Sequence, residues 1–315
     1  MRLPAARPAL RLTRGRLRLT RGRLLIAGVA LLLLLPNSSV LEHRAVVAVF
    51  LVALLAGRGR LFLRDWLPLI AAAALFVALR QVAVLSPLPH QGLAVAHLDA
   101  VFAAGSTPTA WLQQRLYRPG APGPLEYLAA AVHASYFFGF VVVGLGIWLF
   151  RRRHFGHFRL ALLATFVLGL LGYVLLPTEP PWLVARQAGA PPAHRVIAET
   201  AQGTKLTAGI VAAGRAWQDD PQALGDPNPS AAMPSVHTAV TASLALVLAR
   251  LHPALGLVGA VYLLAMGASL VYLGEHFVLD VLAGILCSVV AFWIAGRLTR
   301  LRDPGGPPSR SGGGA

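Results

Sequence analysis

The chain has 315 residues, of which 56% are hydrophobic and 13% charged, a balance that excludes an ordinary soluble domain of this length. Its formal net charge of +16 sits at the ends of apolar runs rather than on a polar face interleaved with aromatics, which excludes a nucleic-acid partner. The single cysteine, Cys287, excludes an intramolecular disulfide, and no His-Glu-x-x-His pattern occurs among the ten histidines, so no metal ligand or cofactor is assigned.

From the N-terminus, residues 1–23 carry eight arginines and no acid, followed by an apolar run at 24–36. No small-residue cleavage site follows that run, so it reads as an uncleaved span behind a disordered, basic cytoplasmic arm lying on anionic headgroups. A second short run at 40–57 follows Asn37-Ser38-Ser39, and the segment 24–60 therefore forms either two thin spans or a re-entrant hairpin. Six longer runs, near 61–86, 125–150, 158–176, 234–250, 254–273 and 277–297, approach the ~20 apolar residues that a bilayer-crossing helix needs. The expected fold is an all-α, polytopic membrane helical bundle: a six-helix core over 61–300 plus one or two N-terminal spans. The Gly/Pro/Ser-rich stretch 301–315 reads as a disordered tail.

With the N-terminus inside, the inner segments hold 20 of the 28 Lys and Arg residues but only two of the 12 acids, Asp65 and Asp303. That asymmetry predicts both termini in the cytoplasm of a plasma-membrane protein, and the loops 87–124 and 177–233 on the outer face. Residues 97–117 mix apolar and polar positions and are expected to lie along the interface as an amphipathic helix. Residues 185–217 are similar, with Arg186, Arg195, Lys205 and Arg215 among apolar positions. Together they are expected to roof a site at the outer leaflet. Within the spans, His133 and Tyr136 share a helix face that suits either bundle packing or a cavity. Arg80 is read either as snorkelling to the outer interface or as paired with a buried acid.

The chemistry-bearing residues fall where two late spans begin. In Met233-Pro234-Ser235-Val236-His237, Pro234 can open a helix and Ser235 can cap its first turn, leaving amides free to attract phosphate beside His237. In Gly274-Glu275-His276-Phe277-Val278-Leu279-Asp280, His276 and Asp280 are four residues apart and share one face. A carboxylate accepting from one imidazole nitrogen leaves the other as an aimed lone pair, the arrangement of a nucleophile or general base. The expected reaction is a two-step displacement: His276 attacks phosphorus, and His237 protonates the departing oxygen and then activates water or an alcohol. Ser235, Arg118, Arg186 and Tyr272 are the candidate substrate-binding residues, with Arg115, Arg195 and Lys205 as further candidate phosphate clamps.

Pro234-Ser235-Val236-His237, with Ser269 and then His276-Phe277-Val278-Leu279-Asp280 downstream, resembles the second and third signature motifs of the type-2 phosphatidic acid phosphatase superfamily. The stretch from Tyr173-Val174-Leu175-Leu176 through Pro177-Thr178-Glu179-Pro180-Pro181-Trp182 resembles the branch containing inositol phosphorylceramide synthases. The resemblance covers about 125–297. It implies a phosphatase-type core, with the position of His276 as nucleophile, that of Asp280 as its orienting group and that of His237 as the acid. Two positions depart from the broad family: Leu270 replaces the arginine after Ser269, and Trp111 stands at the lysine position ahead of Arg118-Pro119.

The expected function is therefore an integral membrane, metal-independent lipid phosphatase or lipid phosphotransferase. It acts on a membrane lipid phosphate at the extracytoplasmic leaflet through a phosphohistidine. The competing reading is a non-catalytic lipid-binding transporter or scaffold, which predicts ionisable residues deep within spans rather than at their mouths.

Overall fold

The computed structural model describes residues 59–187, 189–202 and 230–302. The basic arm, the runs at 24–36 and 40–57, most of the tail, and Lys205 and Arg215 lie outside the described residues.

Apolar sequence becomes helix wherever the expected core runs occur, because backbone N–H and C=O groups in hydrocarbon must be paired within their own segment. In chain order the helices are α1 (Gly59–Leu79), α2 (Gly92–Asp99), α3 (Pro108–Leu116), α4 (Pro124–Phe150), α5 (Phe155–Leu175), α6 (Pro181–Val184), α7 (Val196–Gln202), α8 (Val236–Leu251), α9 (Pro253–Tyr272) and α10 (Val278–Arg302). Among the described residues, α1, α5, α9 and α10 are long and apolar enough to cross a bilayer. Helix α4 adds a fifth crossing if its two halves, bent by 50° between Tyr136 and Phe138, are taken as one span. The protein is a multi-pass membrane protein.

Two of the expected spans differ in the structure. The run 61–86 is helical only to Leu79, and Arg80–Leu85 tightens into a 3-10 turn. Arg80 thus leaves the long span and sits at the start of that turn. Helix α8 has only 16 residues, roughly 24 Å of rise, which is less than the ~30 Å hydrocarbon core. It is nonetheless the centre of the bundle, packed against α4, α5, α9 and α10, with most of its side chains buried. A ladder of buried hydroxyls crosses this centre: Thr165 on α5 lies 3.0 Å from Ser243 on α8, which lies 2.9 Å from Ser288 on α10. Such short polar pairs let helices approach closely in an apolar surround.

At one end of the bundle Phe62, Trp66, Trp148, Phe155 and Phe158 form an aromatic core. There Asp65 accepts from Trp148 Nε1 at 2.8 Å and from Arg152 at 2.7 Å, with Arg159 4.0 Å away. At the opposite end, α2, α3, α6 and α7 cover the bundle through two small apolar clusters, one around Tyr117, Val196, Ile197 and Leu273, the other around Val95, Val184 and Phe277. The expected single amphipathic helix over 97–117 is two helices. Ala104 and Gly105 adopt positive φ of 52° and 96°, and Thr107 then caps a new helix by accepting from the Ala110 amide, with Pro108 in its first turn.

Candidate active site

The two histidine segments meet at the covered end of the bundle. Ser235 is the N-cap of α8, its hydroxyl accepting from the Thr238 amide at 3.3 Å, so His237 stands in the first turn. The Ser235 amide donates to the Asp280 carbonyl at 3.0 Å, tying the start of α8 to the start of α10. Gly284, one turn along α10, makes this possible: a Cβ there would lie 2.4 Å from the Ser235 carbonyl oxygen. The link between Leu270 and His276 is equally tight. The amides of Glu275 and His276 both donate to the Leu270 carbonyl, and Gly274 turns with φ +79°, its missing Cβ avoiding the His194 carbonyl.

This frame brings His237 Nδ1 to 3.4 Å from His276 Nε2. The other nitrogen of His276, Nδ1, faces Asp280 Oδ2 at 3.5 Å, an ion-pair contact slightly longer than a hydrogen bond. Asp280 is fully buried; Oδ2 also accepts from the Phe277 amide at 2.8 Å, whereas Oδ1 has no hydrogen-bond partner among the described residues. A carboxylate so placed favours the tautomer with hydrogen on Nδ1 and the Nε2 lone pair turned toward His237.

Around this pair the structure gathers further groups. His133 and Tyr136, on α4, pack their rings against His237 at centroid distances of 4.9 and 4.4 Å. The His133–Tyr136 face thus lines the histidine pair. Glu275 receives Arg195 Nε at 3.0 Å, and the Arg195 guanidinium stacks over Trp182 at 4.4 Å. Burial alone would push the Glu275 carboxyl up, but the Arg195 guanidinium, with His133 nearby, holds it below the usual carboxylate range. Glu275 is therefore an anion, and Arg195 with Trp182 forms a fixed cationic shelf next to His276. Arg80 also lies close enough for its charge to act on His237 and on Tyr173, and among the described residues its buried Nε has no hydrogen-bond partner. Among the described residues, no group of three His, Cys, Asp or Glu side chains has metal-binding geometry.

Asp99 supports the same corner from α2. Its Oδ1 accepts from the Leu279 amide at 3.0 Å, one residue before Asp280. Burial pushes its carboxyl up to about 6, against the opposing pull of the Leu279 and Val278 amides, and the nearby Asp280 charge adds to the rise.

The remaining expected site residues are placed as follows. Arg118 and Arg115 are exposed on the turn after and in the last turn of α3, with Arg115 stacked on Trp111 at 4.1 Å. Arg186 is exposed and lies over Trp182 at 5.1 Å, the ring that also carries Arg195. Tyr272 is buried, and its hydroxyl donates to Glu126, whose other oxygen accepts from the Gly123 amide at 2.7 Å. Leu270, at the departing family position, is fully buried. The proline stretch is built into the roof: Thr178 pairs with Ser230 and Ala232 through its backbone, Glu179 binds His90 at 2.9 Å, and the Trp182 amide meets the Gly274 carbonyl at 3.3 Å. Glu275 and Asp99 were not among the expected site residues. Glu275 had a signal in its position next to His276; Asp99, 180 residues from its amide partner, had none.

The model of the PAP2 superfamily matches residues 94–294, a stretch from α2 to α10 that includes both histidine segments. No curated protein and no solved structure matches the chain. Because the match covers well over half of the chain, the protein belongs to the PAP2 superfamily, whose members are phosphatases and phosphotransferases acting on phosphate esters.

Proposed function

We propose that this protein cleaves or transfers the phosphoryl group of a membrane lipid phosphate through a covalent phosphohistidine on His276, at the extracytoplasmic leaflet. The observation that carries the reading is the 3.4 Å contact between His237 Nδ1 and His276 Nε2, with Asp280 behind the opposite nitrogen of His276. In the first step the Nε2 lone pair attacks phosphorus, the phosphorus–oxygen ester bond breaks, and the departing alkoxide takes a proton from His237. In the second, the oxygen of water or an alcohol bonds to phosphorus and gives its proton to His237 as the phosphorus–nitrogen bond breaks, which frees His276 and returns His237 to its protonated form.

An in-line transfer places the leaving oxygen on the far side of phosphorus from Nε2. The two rings must therefore part as substrate binds, and the 3.4 Å contact is the resting state. Arg195 is the proposed phosphate clamp, because its stack on Trp182 and bond to Glu275 fix it beside the nucleophile. Arg80 is a second cation for the developing charge. The outer-leaflet assignment rests on the basic residues at the other end of the bundle, Arg60, Arg64, Arg151, Arg152, Arg153, Arg159 and Arg250. The resemblance of Pro177 to Trp182 to the synthase branch favours transfer to an alcohol such as inositol alongside hydrolysis.

The test is phosphate release from a panel of lipid phosphates by purified protein, with and without alcohol acceptors, together with trapping of the phosphoenzyme. His276→Ala is expected to abolish release and labelling, and His237→Ala to slow turnover by about 10²–10⁴-fold. Hydrolysis by His276→Ala at the parental rate would falsify the nucleophile assignment.

A further inference from the structure

At the end of the bundle opposite the histidine pair, a cavity of about 350 Å³ opens between the start of α5, the end of α8 and the last part of α10. Arg153, His154 and His157 reach it from the α4–α5 turn and the first turn of α5, Arg250 from the last turn of α8, and Thr299 from α10. Arg250 lies roughly 20 Å along α8 from His237, so this cavity is separate from the proposed active site.

Its electrostatics are unbalanced. At the same end Arg152 and Arg159 share the carboxylate of Asp65. Among the described residues, no acid lines the cavity and neither Arg153 nor Arg250 pairs with a carboxylate. Instead Arg153 Nε donates to His154 Nε2 at 3.0 Å, and Arg250 Nη1 lies 3.4 Å from His157 Nε2. A guanidinium can only donate, so both ring nitrogens act as acceptors, and the other guanidinium N–H groups remain for another partner. Phe292 fixes the orientation, lying 5.5 Å under the Arg250 guanidinium and edge-on to His157 at 4.5 Å. Two cations held at one cavity repel each other unless an anion joins them, and a forked guanidinium suits phosphate best.

We infer that this cavity is a second anion site that takes a phosphate group, carried either by an anionic phospholipid headgroup or by free inorganic phosphate. The basic turn residues therefore do more than orient the chain. They bind a ligand at the membrane face away from the chemistry, where anionic headgroups are presented to basic pockets between helices.

The full chain is purified as wild type, as the double variant Arg153→Gln/Arg250→Gln and as Arg250→Lys. Each is titrated with phosphatidylglycerol and with inorganic phosphate, and bound copies are counted by native mass spectrometry. His276→Ala serves as the reference for binding at the other end. The double variant is expected to bind at least about tenfold more weakly than wild type, with His276→Ala unchanged at this site and phosphate-ester hydrolysis by the double variant retained. Arg250→Lys, which keeps the charge and loses the fork, is expected to fall between them and does not depend on the double variant folding. Weakening with phosphatidylglycerol alone identifies a headgroup site; weakening with inorganic phosphate identifies a site for the free anion. Equal binding of both probes by wild type and both arginine variants overturns the inference.

Discussion

The amide of Ser235 donates to the carbonyl of Asp280 at 3.0 Å, so the two segments that carry the histidines are joined through their backbones and not only through side chains. Gly284 allows that approach, because a Cβ at this position would stand 2.4 Å from the Ser235 carbonyl oxygen, a backbone atom with no freedom to move aside. Gly284→Ala is expected to push α10 off α8, lower the stability by about 1–3 kcal/mol and reduce activity. Gly146, where a Cβ would meet no described atom within 4 Å, is the control: Gly146→Ala is expected to be neutral or stabilising in thermal unfolding.

Asp280→Asn keeps the shape and the bond from the Phe277 amide but removes the charge that favours hydrogen on His276 Nδ1. The expected outcome is a fall in kcat of about 10²–10⁴-fold with little change in the unfolding midpoint. A loss of stability with kcat intact would make Asp280 a packing residue.

Arg195→Lys retains a cation but loses both the Nε–H donated to Glu275 and the flat stack on Trp182. Activity on a lipid phosphate is expected to drop by about tenfold or more, and Arg195→Ala by about 10²–10³-fold. Glu275→Gln separates the roles: it frees Arg195 from its ion pair without removing the cation, so a smaller loss than in Arg195→Ala assigns the phosphate contact to the guanidinium.

Asp99 gives the stability of this corner a pH dependence of known sign. Its carboxyl titrates near 6 in the folded protein because it is buried, against 3.8 when unfolded. Below both values the proton is bound in both states and the group contributes nothing. As pH rises through that window, the unfolded chain releases its proton first, so the folded state loses up to about 3 kcal/mol, fully developed above about pH 6. Asp99→Asn keeps an oxygen for the Leu279 amide and removes the titration. Thermal unfolding followed between about pH 5 and pH 8 is expected to show the variant gaining stability over wild type toward the higher pH, and parallel curves would remove Asp99 as the cause.

The sequence alone determined the helical bundle and the pairing of His276 with Asp280. Apolar run length decides helix against loop because unpaired backbone groups are so unfavourable in hydrocarbon, and each expected core run carries a long helix, although the first ends early at Leu79. The four-residue spacing of His276 and Asp280 places them together by helix geometry. Tertiary structure decided what periodicity cannot carry. Residues 97–117 read as one amphipathic helix, yet the positive φ at Ala104 and Gly105 and the cap at Thr107 divide them. Among the described loop cations, packing on Trp182 sets Arg195 beside Glu275, while Arg118 is exposed. Asp99 meets the start of α10 across 180 residues, and Arg80 nears His237 from the turn that follows α1. Local periodicity reports each segment's own conformation; which charges converge depends on how segments distant in the chain fill the space between them, and that is a property of the packed bundle.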